Sequence, residues 1–399
     1  MIRIQLPESM EYRRLRREYL KRVAKYIKFD KKDIFPDQTS SNEGKTEVAA
    51  TYLQEHFQNL YRFLFSSHSG KVRTENLRWL LAGPAVPPKS FGGTGEYETM
   101  QDSLKAIIGQ CSHESGEDSA KANEVCKKIF DYDEFVKKQE DAYWLLRSLK
   151  VRVCPYCNRI YTTTLPTKEE LEQEDSGEPF ETTRATYDHF YGKAQYPYLA
   201  LSLFNLVPSC NICNNNKESK DEEIIYPYDE EFGKNAVFRL IPDLNELKPG
   251  ENALRFLTGE SDKFHVRLMG KDRISFLEKS FLESQLSDIE DSDYRERVKN
   301  SIEMFRLEKL YNEHKVEIRD VLRNRYYFNE EYVKSAICPL IREQLKKEGT
   351  NVSEDQVYDM ATDMLFSTRL RPEEWKDRPL SKLKADILDY IDIITKEEE

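Results

Sequence analysis

Three stretches decide how this chain reads. They are Arg152-Val153-Cys154-Pro155-Tyr156-Cys157, then Tyr187-Asp188-His189-Phe190, then Asn205-Leu206-Val207-Pro208-Ser209-Cys210-Asn211-Ile212-Cys213-Asn214-Asn215-Asn216-Lys217. Two Cys-x-x-Cys pairs bracket an Asp-His dipeptide. Thiolates at this spacing bind one metal through a turn, and two such pairs complete a tetrahedral four-sulfur shell suited to zinc. Cys157 and Cys210 are 53 positions apart, longer than in a compact zinc ribbon, which leaves room for a functional insert between the knuckles. A closed four-thiolate shell has no open coordination position, so Cys154, Cys157, Cys210 and Cys213 are expected to hold a structural Zn²⁺ rather than do chemistry.

The insert carries the chemistry. Hydrolysis of a phosphodiester needs an activated water, a cation on the phosphate oxygens and a rigid frame. His189 is the candidate general base, because an imidazole with a pKa near ~6.5 accepts a proton at neutral pH. Asp188 and the side-chain oxygen of Asn214 are hard ligands that favour a catalytic Mg²⁺ or Mn²⁺. Such an ion would stabilise charge on the departing oxygen. Asn205 is the expected brace between the strand with His189 and the helix with Asn214. Lys217, three residues after Asn214, has two readings: a phosphate contact or an ordinary solvated helix lysine. Lys193 is a second candidate for nucleic-acid contact.

These residues resemble the HNH endonucleases. The resemblance implies a ββα-metal core, in which a two-stranded hairpin carries Asp188-His189, the loop carries Asn205 and the helix carries Asn214, with zinc knuckles flanking it. Asn214 stands where many members have histidine, a variation the family tolerates. The run Asp188-His189-Phe190-Tyr191-Gly192-Lys193, Tyr196-Pro197-Tyr198-Leu199-Ala200 and the Cys213-Asn214 ending are similar to bacterial anti-phage HNH proteins, such as the nuclease subunit of Septu-type and retron-associated systems. That likeness implies a DNA substrate, a defence role and an ATPase partner or self-assembly. It covers only about residues 150 to 220. The competing reading is a non-catalytic, zinc-stabilised adaptor or nucleic-acid-binding subunit.

The rest of the chain sets the frame. Of 399 residues, 39% are hydrophobic and 33% charged, enough apolar material for a core under a heavily charged surface. No apolar run is long enough for a membrane span, and the first residues lack a signal core, so a cytoplasmic protein with reduced thiols is expected. Cys111, Cys126 and Cys338 then read as free, partly buried thiols. The net charge of -11 is unusual for a nucleic-acid protein, but a local patch suffices. Residues 1 to 32 hold eleven Lys and Arg against four acids, either a binding surface or a solvated helix face.

Periodicity predicts helices over 9–29, about 47–65 and 133–149, with loops over 83–95 and 110–122. A strand, turn and returning strand are expected over 151–165, and an acidic loop, rich in Glu, over 166–183. Strands follow at 238–241 and 264–269, with helices from 273 onward, where Ile274, Leu277 and Phe281 and later Leu383, Ile387, Ile391 and Ile394 mark apolar faces. The fold class expected is α+β, a mostly helical chain around a small central core. Its organisation reads as an N-terminal helical region (1–140), the nuclease core (141–228), a small β extension (229–272) and a C-terminal helical region (273–399).

Overall fold

The structure is a computed structural model. It describes residues 1–5, 9–36, 44–112, 119–137, 139–162, 164, 185–217, 223–243, 245, 253–271 and 285–396. The fold is mixed α+β, mostly helical among the described residues, with two small antiparallel sheets. The acidic loop at 166–183 and the apolar positions Ile274, Leu277 and Phe281 lie outside the described residues.

Helix α1 (Ser9–Val23) buries Tyr12, Leu15, Tyr19, Leu20 and Val23 on one face. It stops at Val23, earlier than the expected 29, and the chain passes on through turns to an isolated bridge between Ile27 and Phe130. The single helix expected over 47–65 is two, α2 (Lys45–His56) and α3 (Gln58–Leu64). Phe57 separates them with φ -156° and ψ 72°, and its ring is fully buried. Burial of one aromatic at the corner outweighs helical continuity, which propensity alone favours only weakly. Helix α4 (Thr74–Ala82) packs on α1 and α3.

The loop expected over 110–122 is also corrected. Helix α5 (Met100–Cys111) opens on a capping box between Thr99 and Asp102 and runs to Cys111, and α6 (Ser119–Ile129) begins inside the supposed loop. Its polar sequence hid a narrow apolar stripe, Ala122, Val125, Cys126 and Ile129, all buried. Helices α7 (Tyr132–Lys137) and α8 (Gln139–Leu149) complete the N-terminal half.

Past α8 the chain makes the first Cys-x-x-Cys turn. Among the described residues of the returning strand expected at 160–164, pairing is one isolated bridge, Val153 to Tyr161; Thr163 lies outside them. Strand β1 (Thr186–His189) then pairs antiparallel with β2 (Leu206–Ser209), with Asp188 opposite Val207 and His189 opposite Leu206. Helix α9 (Asn211–Lys217) follows directly. A second hairpin joins β3 (Ala236–Pro242) to β4 (Phe264–Gly270) over a seven-residue register, at the two places where alternation predicts strands.

The remainder is helical: α10 (Ser292–Met304), α11 (Leu307–Asn312), α12 (Lys315–Tyr327), α13 (Cys338–Lys347), α14 (Glu354–Phe366) and α15 (Ser381–Lys396). On α15, Leu383, Ile387 and Ile391 are buried as their spacing predicts. One hydrophobic core takes in side chains from Met1 to Ile391, and a satellite of Val333, Cys338, Val357 and Ala361 joins α13 to α14. Among the described residues, no helix is long and apolar enough to cross a membrane.

Candidate functional site

The site is assembled by two turns. The first knuckle closes when Asn158 N–H donates to the Cys154 carbonyl (2.8 Å) and Cys154 N–H to that of Ile160 (3.0 Å). Asn158 adopts φ 49°, a left-handed conformation that asparagine tolerates better than most residues. Its buried amide donates to the Trp375 carbonyl (2.8 Å) and accepts from Lys382 N–H (3.1 Å), which bolts the knuckle to the C-terminal region. The second knuckle forms where β2 ends and α9 begins, so Cys210 precedes the helix and Cys213 lies in its first turn.

All four sulfurs are buried and lie within 4.8 Å of one another. Cys157 Sγ and Cys210 Sγ are 3.9 Å apart. Four thiolates at ~2.3 Å from a tetrahedral zinc would sit about 3.8 Å apart, so the cluster can hold a metal ion such as zinc. Burial and mutual hydrogen bonding push Cys154 and Cys213 up and hold Cys157 and Cys210 down, so the four thiols do not ionise alike without a cation among them. The other three cysteines are buried single thiols, and burial pushes Cys111 and Cys126 up beyond any nucleophilic range.

Between the knuckles, the hairpin loop is tied by Asn205. Its Oδ1 accepts from Tyr191 N–H (2.7 Å), while its Nδ2 donates to the carbonyls of Tyr191 (3.0 Å) and Leu199 (3.2 Å). Asn205 is fully buried, so these bonds replace its hydration. The result holds the short turn Pro197–Leu199, and with it Ala200, against β1.

His189 meets that turn. Its Nε2 lies 3.0 Å from the Ala200 carbonyl oxygen. A carbonyl only accepts, so Nε2 carries the proton and Nδ1 carries the lone pair. Among the described residues Nδ1 has no hydrogen-bond partner, and the residue is half-buried. Desolvation lowers the His189 pKa to about 4, against the opposing pull of the Ala200 carbonyl, so the ring is neutral at pH 7. The Tyr132 ring packs edge-on against it, centroids 4.5 Å apart. Lys193 lies over the same tyrosine at 4.9 Å and reaches Asp133 at 3.4 Å. A small cleft lined by Tyr132, Asp133, Lys193, Pro197 and Ala200, among others, opens beside this ring, and His189 itself is not in its lining.

Asp188 and Lys217 depart from expectation. Asp188 is only 3% exposed and Lys217 only 2%. Lys217 points inward, away from any phosphate: its Nζ reaches Asp188 Oδ1 (3.3 Å) and Oδ2 (3.2 Å) and donates to the His189 carbonyl (2.7 Å). Tyr156, the second of the two residues between the cysteines of the first knuckle, donates its hydroxyl to Asp188 Oδ2 at 2.5 Å. Burial pushes the Asp188 carboxyl up, while Lys217 and Tyr156 pull it back down.

Mg²⁺ takes oxygen ligands at ~2.0–2.1 Å and keeps several waters. Here a buried ammonium already stands against both oxygens of Asp188. Asn214 is half-buried on α9, and among the described residues its side chain makes no hydrogen bond to Asp188 or His189. The Asp188–Asn214 set expected for a divalent ion therefore does not fit one in this arrangement.

Tyr156 and Tyr132 were missed by sequence reasoning. Tyr156 had a faint signal, since an x-x residue of a zinc knuckle points where the knuckle points. Tyr132 had none. In comparisons with protein-family models, with curated proteins and with solved structures, nothing matches this chain.

Proposed function

We propose that the chain is an endonuclease that hydrolyses DNA phosphodiesters with His189 as general base, in an HNH-type unit formed by β1, β2 and α9. The observation that carries this reading is the state of His189: Nε2 is pinned to the Ala200 carbonyl, which leaves Nδ1 with a lone pair that has no hydrogen-bond partner among the described residues. A neutral imidazole of fixed tautomer can take a proton from water as that water attacks phosphorus. Asn205 is a positioning residue that keeps the Ala200 turn in place. Lys193, partly exposed beside Tyr132, is the cation suited to meeting the phosphate at the mouth of the cleft. The four-cysteine cluster takes a structural zinc, whose part is to hold Tyr156 and α9 in register with β1. Mg²⁺ or Mn²⁺ has no place at Asp188, because Lys217 occupies that carboxylate.

The anti-phage setting and the ATPase partner implied by the resemblance remain part of the proposal. The chain's net charge of -11 favours a partner or a second copy that presents the nucleic acid to an acidic protein.

The test is cleavage of supercoiled plasmid by the zinc-loaded full chain, with His189→Ala in parallel, in metal-depleted buffer and with added Mg²⁺ or Mn²⁺. Nicking by wild type, lost by at least about a hundredfold in the variant, is the expected result, in keeping with the ~10²–10⁴ that general bases contribute. Equal nicking by both proteins would remove His189 from the mechanism, and no nicking by either in any buffer would favour the adaptor reading. Adding a candidate ATPase tests whether activity needs a partner.

A further inference from the structure

We infer that Lys217 is a resident cation: its ammonium takes the place at Asp188 that a divalent ion would need, closing this carboxylate to metal. The inference deepens the nuclease reading, since it states how the proposed site meets the charge of Asp188, but the geometry behind it stands apart from activity.

An ammonium has three N–H donors and no acceptor. Those of Lys217 face three oxygens, Oδ1 and Oδ2 of Asp188 and the carbonyl of His189, at 3.3, 3.2 and 2.7 Å. The Phe190 ring lies 5.7 Å from Nζ and closes another side. At 2% exposure the ammonium is closed to solvent, so it is not placed to meet a phosphate. A buried carboxylate needs a cation, because an uncompensated charge in a low-dielectric interior costs several kcal/mol. In a metal nuclease a divalent ion meets that need. Here the side chain meets it, and its double role follows from where it sits. By holding the Asp188 side chain and the His189 main chain together, one ammonium fixes the direction in which the His189 ring leaves β1. Tyr156 completes the shell of Asp188 from the first knuckle.

The chain builds the same unit elsewhere. Lys382 Nζ contacts both oxygens of Asp386 (3.2 and 2.9 Å) and the Gly233 carbonyl (2.7 Å), beside the Trp375 ring at 4.7 Å. Ammonium, carboxylate, carbonyl and ring thus recur as a combination in this protein, and no histidine is among the partners given for that ammonium. The Lys217 copy is distinguished by lying next to the proposed base.

Removing the ammonium should open the carboxylate to an ion. The experiment is Mn²⁺ binding to the zinc-loaded full chain, followed by electron paramagnetic resonance and by titration calorimetry, with wild type, Lys217→Ala, Asp188→Asn and the double variant. Wild type and Asp188→Asn should bind Mn²⁺ equally weakly. Lys217→Ala should gain one site at least about tenfold tighter, a change of about 1.4 kcal/mol, and the double variant should lose it. One tight Mn²⁺ per wild-type chain, abolished by Asp188→Asn, would overturn the inference, and this arm decides even if Lys217→Ala does not fold. Plasmid nicking in metal-depleted buffer separates the two proposals. If wild type binds no Mn²⁺ and also cuts nothing in any buffer, the nuclease reading fails while the resident cation stands.

Discussion

Two buried lysine–aspartate pairs, Lys217–Asp188 and Lys382–Asp386, are nearly the same object in different settings. Each ammonium is at most 2% exposed, each meets both oxygens of its carboxylate and one carbonyl, and each lies beside an aromatic ring. In both, burial pushes the carboxyl up and the lysine pulls it down. The difference lies in sequence distance and in the fourth partner. Lys382 and Asp386 are one turn apart on α15, and Asp386 also accepts the Phe238 N–H of β3 (2.9 Å). That pair stitches a helix to a sheet, and the Lys382 main chain also anchors the first knuckle through Asn158. Lys217 and Asp188 are 29 positions apart, on α9 and β1, and the fourth partner is Tyr156 of the first knuckle. That pair joins the four-cysteine cluster to the strand that ends in His189. The same electrostatic unit is thus scaffold in one place and part of a site in the other, and only its neighbours tell which.

Breaking the scaffold copy should have the largest effect on stability. Lys382→Met strands Asp386 in the interior, and removing one partner of a buried pair costs about 3–5 kcal/mol; urea denaturation should show it, with no rescue by Mn²⁺. Lys217→Met should cost a similar or slightly smaller amount in metal-depleted buffer. Here the two pairs part company: Mn²⁺ at about a hundred times its Kd should restore about 2.7 kcal/mol, read as a rise in Tm that Lys382→Met does not show. Equal responses of the two variants to Mn²⁺ would erase the distinction. Tyr156→Phe removes one hydrogen bond to a charged group and should cost about 1.5–3 kcal/mol, with the cysteine cluster still binding zinc.

The smallest effect at neutral pH belongs to His189→Ala, which gives up one hydrogen bond worth about 1 kcal/mol yet should silence cleavage. Its pH dependence sharpens the point. The His189 pKa in the folded chain is about 4, below the ~6.5 of an unfolded chain. Between those values the unfolded chain binds more protons, so stability is full above about pH 6.5 and falls as pH drops towards 4. His189→Ala should flatten that slope by about 2–3 kcal/mol across the window, measured by urea midpoints from pH 7.5 to 4.5. An unchanged slope would mean that the ring is better solvated than its packing against Tyr132 indicates.

Much of the frame was legible in the residues alone. The two Cys-x-x-Cys turns meet in one cluster, the chain around Asp188-His189 and after Asn205 forms a hairpin, and a helix starts at the second knuckle. Spacing carries this information because turns and strand registers are local. Helix α6 was not legible, since its short stripe of Ala122, Val125, Cys126 and Ile129 is set among Lys, Asn and Glu that read as loop. Nor was the break at Phe57, which a buried ring imposes from outside the segment.

By itself the sequence determined that four thiols would converge, that a histidine would close a short strand, and that Lys217 would share a helix face with Asn214. It could not determine which face of α9 turns inward. Periodicity assigns residues to a common face, but the partner that buries that face comes from 29 positions away in Asp188 and 32 away in Tyr156's contact with it. Tertiary packing therefore decided that Lys217 is the cation of Asp188 and not a finger for phosphate. The physical reason is that a buried carboxylate takes the nearest cation that can follow it out of water, and here the folded chain supplies one.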